Sequence, residues 1–202
     1  MPRFKLSATL IAAALLSVSQ ANATVITYTN EATWEAAVTS FVTEPFDSGG
    51  LQSFTGVVTT FGAIGPARGV LTGSVWADFV QDGASTTFSY KPGNLIGAGG
   101  TWDTSPEDEG AGLELTLNLV GGGTETVGAI GPIDGTFFGF VSSDPFTSFT
   151  ISNAIAGEVE TFDLDNLHFA PTTTVPEPIS LSLFGAGLVG AAAIRRRKAK
   201  TA

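Results

Sequence analysis

The sequence predicts an all-β fold, a jelly-roll-like β-sandwich with one short N-terminal helix, set between an N-terminal signal peptide and a C-terminal transmembrane helix. Three observations predict it. Short apolar or alternating runs recur between residues 24 and 170, separated by Gly, Pro, Asp and Ser. The clearest is Leu113-Glu114-Leu115-Thr116-Leu117-Asn118-Leu119, apolar at odd positions and polar at even ones, a strand with one wet face. The interior needs large side chains, and 13 of the 15 Phe lie in this stretch.

In chain order, Arg3 and Lys5 precede an apolar run over residues 6–18 and the A-x-A site of Ala21 and Ala23, which predicts cleavage before Thr24. Residues 25–28 read as a strand. Asn30 is placed to cap a helix over residues 31–38, with Glu31 and Glu35 near its positive end. Further strands are expected at residues 43–46, 56–61, 76–80, 86–90, 113–119 and 124–130. Residues 137–141 and 146–152 follow around a turn at 142–145, then 159–164 and 167–169. Gly62-Ala63-Ile64-Gly65-Pro66 recurs as Gly128-Ala129-Ile130-Gly131-Pro132, read as one strand-to-turn solution used twice, with duplication of half the domain as the alternative. The division that results is a signal peptide (1–23), the sandwich (24–170), a Pro/Thr linker (171–178), a transmembrane helix (179–194) and a basic cytoplasmic tail (195–202).

Charge separates the domain from its ends. Between residues 24 and 171 the cations are Arg68 and Lys91 against 18 acids, a formal charge of −16 that the whole-chain value of −10 conceals. Such a surface repels nucleic acid and anionic lipid, and suits divalent cations or plain solubility. The chain has no cysteine, which excludes thiolate catalysis and Cys-bound metal.

The end of the chain reads as an address. Pro176-Glu177-Pro178 precedes an apolar run of 16 residues (179–194) and the cluster Arg195, Arg196, Arg197 and Lys198. As a helix the run covers about 24 Å, against about 30 Å of hydrocarbon. Snorkelling of Arg195 narrows the gap. The basic cluster stays cytoplasmic under the positive-inside rule, so the acidic domain lies outside, as the signal peptide also requires. Motif, span and cluster in this order resemble the PEP-CTERM sorting signal of Gram-negative bacteria. The resemblance implies export through the Sec machinery, a temporary hold in the inner membrane, cleavage by exosortase, and a cell-surface or extracellular destination with exopolysaccharide and biofilm. Residues 26–41, 136–151 and 162–169 resemble, in turn, the opening strand and helix, the central hairpin and the closing strand of exported domains found ahead of such tails. In outline those domains are similar to carbohydrate-binding jelly rolls.

Candidate chemistry is sparse. Asp163 and Asp165, two apart on a strand end, share a face and offer oxygen ligands to a structural Ca²⁺, with Glu44 and Asp47 completing the set. No other cofactor is expected. Asp103 with Glu107, Asp108 and Glu109 reads as a solvated loop in which Trp102 is a candidate stacking platform for sugar, as is Trp76. His168 reads as a surface or edge residue. No G-x-S-x-G, H-E-x-x-H or P-loop pattern occurs, so no catalytic residue is assigned and a non-enzymatic role is expected. The leading expectation is an exported, exopolysaccharide-associated protein. The alternatives are a calcium-stabilised carbohydrate-binding module and, after it, a polysaccharide hydrolase.

Overall fold

The computed structural model describes residues 23–47, 50–60, 69–105 and 111–172. The signal segment before Ala23, the first Gly-Ala-Ile-Gly-Pro copy, Glu107 to Glu109, and the sorting motif, span and basic cluster lie outside the described residues. Among the described residues no helix is long and apolar enough to cross a membrane.

Strand β1 (Val25–Tyr28) leads into helix α1 (Glu31–Ala37). Asn30 caps the helix, its Oδ1 accepting from the Thr33 N–H at 3.1 Å. Then come β2 (Val42–Glu44), β3 (Thr55–Thr60), β4 (Val70–Thr72), β5 (Val75–Gln81), β6 (Ser85–Tyr90), β7 (Leu95–Asp103), β8 (Leu113–Leu119), β9 (Thr124–Ala129), β10 (Thr136–Asn153) and β11 (Val159–Pro171). The path is β3-β6-β10-β7-β11-β5-β4, with β8 and β9 continuing from β10, β1 on β10, and β2 on β11.

Strand β10 makes this path a sandwich. Its first half pairs with β7 and β1, its second with β6 and β8. The Phe140 and Phe149 rings meet at 5.6 Å, whereas nine residues of straight strand would part them by about 30 Å. The strand therefore arches over at residues 142–145, and its halves lie in facing layers. Residues 136–151 are thus not the hairpin expected: the turn is where the sequence puts it, but the halves face each other across the core instead of pairing. Phenylalanines on both halves point inward, and the gain is their burial with Phe88, Phe146, Phe162 and Phe169, all fully buried. Each such side chain contributes about 1.5–3 kcal/mol.

Strand β7 was not expected. Its run Leu95-Ile96-Gly97-Ala98-Gly99-Gly100 reads as loop by its glycines, yet β7 is central, between β10 and β11. The glycines are needed because other groups press on them. A Cβ on Gly97 would stand 2.8 Å from the Phe140 carbonyl oxygen, and one on Gly99 would stand 2.6 Å from the Phe137 ring. Helix α1 packs on that floor. Trp34, fully buried, donates from Nε1 to the Phe140 carbonyl at 3.1 Å.

Strand β11 joins two expected strands into one. Between Asp165 and His168 it carries one residue more than β7 opposite. Asn166 takes up that residue at φ 49°, and Asp165 Oδ1 accepts from the Asn166 N–H. The bulge restores the alternation. Leu164, Leu167 and Phe169 point into the core, while Asp165 and His168 point out.

Candidate functional site

The face of β5, β11 and β7 turned away from the core gathers the side chains best placed to meet a ligand. Along β5, Trp76, Asp78 and Val80 are buried, so the odd positions face outward. Phe79 there is 47% exposed. Across the β11–β5 ladder Phe79 lies opposite Thr161 and Ala77 opposite Asp163. Across the other edge of β11, Asp163 lies opposite Asp103 and Asp165 opposite Thr101. Directly paired residues share a face. The result is an aromatic ring beside a row of three carboxylates, Asp103, Asp163 and Asp165. Burial, and secondarily the charge of Asp103, raise the Asp163 carboxyl above the ordinary 3.8.

The expected calcium ligands are not brought together. Glu44 pairs with Leu167, whose side chain points into the core, and is itself fully buried. Its carboxylate accepts from the Phe46 N–H at 3.2 Å and the Gln52 N–H at 2.7 Å, holding the bend after β2. Asp163 and Asp165 lie on the opposite side of the same layer. Among the described residues no group of three or more His, Cys, Asp or Glu is arranged to hold a metal ion. Glu44 and the Asp163–Asp165 pair therefore face opposite sides of the layer.

The expected aromatic platforms are core residues. Trp102 is 1% exposed, packs on Phe162 at 5.6 Å and donates from Nε1 to the Phe138 carbonyl at 3.0 Å. Trp76 is 8% exposed and donates to Asp78 Oδ2. Both rings fill the space between the layers, where large apolar area is most stabilising. The exposed ring is Phe79, which the alternation Trp76-x-Asp78-x-Val80 signals once Trp76 is taken as inward.

His168 is also corrected, from surface to buried, at 6% exposure. Its ring stacks on Trp34 at 5.7 Å and meets Phe41 edge-on at 4.8 Å. Nδ1 lies 2.8 Å from Thr43 Oγ1, and Nε2 lies 2.8 Å from Glu31 Oε1. Helix α1 covers this outward-facing position, which periodicity along β11 alone does not reveal. The imidazole ties α1 and β2 to β11.

At the foot of β1, Ala23 of the expected cleavage site is 7% exposed, and the Thr24 N–H donates to Ser143 Oγ at 2.9 Å. Ala23, the β8–β9 turn, Asp144 and Pro145 line a cleft of about 490 Å³ there. It is separate from the carboxylate face.

No curated protein matches the chain. Among solved structures the fold is similar to a carbohydrate binding module of family 29, at 14% identity and TM-score 0.51 over 70% of this chain and 97% of that one. It is similar also to a CBM29-2 mutant complexed with mannohexaose, at 14% identity and TM-score 0.51 over 64% and 90%. A third is a CBM29-2 mutant complexed with cellulohexaose, at 14% identity and TM-score 0.50 over 64% and 89%. At this identity the likeness is one of fold: a β-sandwich. Directly behind the sandwich, residues 174–198 match the PEP-CTERM protein-sorting motif, and the chain carries that motif as its tail.

Proposed function

We propose that this is an exported, non-catalytic protein that exosortase processes and that associates with exopolysaccharide outside the cell. The match of residues 174–198 to the sorting motif carries the reading. The Sec machinery exports the chain. Residues 179–194 hold it in the inner membrane, with Arg195 to Lys198 on the cytoplasmic side. Cleavage near Pro176, Glu177 and Pro178 then frees the sandwich. The test is expression in a Gram-negative host that encodes exosortase and in its exosortase deletion. A shortened chain lacking the basic cluster is expected in the first and the tail-bearing chain in the second. Identical masses in both strains would contradict the reading.

A second reading, a neutral-glycan-binding module, is favoured by one specific observation: half-exposed Phe79 stands beside Asp103, Asp163 and Asp165. An aromatic face receives the apolar face of a pyranose, and carboxylates accept from sugar hydroxyls in strong charge-assisted hydrogen bonds. The modules of similar fold that hold mannohexaose and cellulohexaose support neutral hexose polymers as the class to try. The −16 domain charge disfavours uronate-rich chains. Binding on a neutral-glycan array, lost in Phe79→Ala with melting unchanged, is the expected result. Binding that survives this substitution would move the site elsewhere.

A further inference from the structure

We infer that, while the tail holds the chain in the membrane, one end of the sandwich faces the lipid. That end is formed by Thr24, the turn at residues 91–94, the hairpin tip at 120–123 and the arch at 142–145. The inference rests on the reading of residues 179–194 as a membrane span.

The point where the chain leaves the fold sets the geometry. Strand β11 ends at Pro171, and the Thr172 N–H donates to the Asn94 carbonyl at 2.9 Å. The chain therefore departs against the 91–94 turn. From Thr172 to Ile179 is seven residues, at most about 25 Å when fully extended. Strand β11, of 13 residues, runs about 40 Å back through the sandwich. The tether is too short to bring the far end of the sandwich against the bilayer.

Charge favours the same orientation. At the exit end stand exposed Lys91 and the acids Glu125 and Asp144. The far end holds Asp82, Asp103, Glu114, Asp134, Glu158 and Asp163. A leaflet bearing anionic lipid repels the far end, with those six acids, more than the exit end, where Lys91 offsets one of two acids, within the Debye length of about 8 Å. The 120–123 tip adds an uncharged surface, Val120 at 46% exposure followed by three glycines. The partner is the bilayer that holds the span. The orientation leaves the Phe79 face reachable from the side and the acid-rich end pointing outward.

The chain has no cysteine, so single reporters can be placed in the full-length protein without removing one. Gly93→Cys marks the exit end and Ala156→Cys the far end; both positions are exposed, and a Cβ on Gly93 meets nothing within 4 Å. Each variant is labelled and reconstituted in phosphatidylcholine–phosphatidylglycerol vesicles containing a headgroup quencher lipid, and flotation is measured alongside. Flotation with several-fold stronger quenching at residue 93 than at 156, weakened by Lys91→Glu, is the expected result. Flotation with equal quenching overturns the orientation and leaves the span standing. Failure to float overturns the span and the orientation with it. Quenching at residue 93 that requires added exosortase overturns the lipid as the partner.

Discussion

Asp163 on β11 lies directly opposite Asp103 on β7, two carboxylates paired across a ladder. Burial and the neighbouring charge raise the Asp163 carboxyl. The folded state then holds that proton more tightly than the unfolded chain does. Protonation favours the fold, an effect fully present below 3.8 and lost as pH rises through the raised value. At neutral pH the charged pair costs stability, and solvent screening keeps that cost small. Asp163→Asn is expected to raise Tm at pH 7 by about 1–2 °C, and the gain should vanish below pH 3.8 in calorimetric scans.

Asp103 and Asp163 face outward beside Phe79, where carboxylates can accept from sugar hydroxyls. Asp103→Asn and Asp163→Asn should each weaken binding of whichever neutral glycan the array identifies by about ten-fold, the loss of one charge-assisted hydrogen bond. Titration calorimetry measures it, and unchanged affinity in both variants would remove the row from the site.

The buried imidazole of His168 bridges Thr43 and Glu31 and stacks on Trp34. His168→Ala empties that space and leaves Thr43 Oγ1 without its ring partner. A loss of about 2–4 kcal/mol is expected in urea unfolding. Phe79→Ala, at an exposed position, should stay within about 0.5 kcal/mol of the parent.

At the β11 bulge Asn166 sits at φ 49°. Glycine adopts this conformation freely and a β-branched residue does not. Asn166→Gly should be nearly neutral, while Asn166→Val should cost about 1–3 kcal/mol. Equal effects of the two would mean that the bulge relaxes when the residue changes.

These residues show which parts of the fold are legible in sequence. Strands with clean alternation, such as Leu113–Leu119, and the Asn30-capped helix lie where local pattern puts them, because local chemistry decides them. Strand β7 does not read as a strand, because Gly97, Gly99 and Gly100 are chosen by what presses on them, and those partners are distant in sequence. The same holds for the arch of β10: residues 142–145 look like a hairpin turn, and only the layer each half joins distinguishes the two. The Asp163-x-Asp165-Asn166 run resembles a ligand set when read as a strand end. In the fold Asp165 and Asn166 build a bulge and Asp163 meets Asp103. Glu44 is directed inward by its pairing with Leu167, which spacing along one strand cannot show. The tail is legible throughout, because its signal is order and composition along the chain and needs no tertiary contact.

The most direct test of the account replaces Pro176, Glu177 and Pro178 with alanine in the full-length chain and follows membrane and released fractions in the exosortase-bearing host. The account predicts full-length protein retained in the membrane with the sandwich outside. Release of a shortened chain at the parental rate would contradict it.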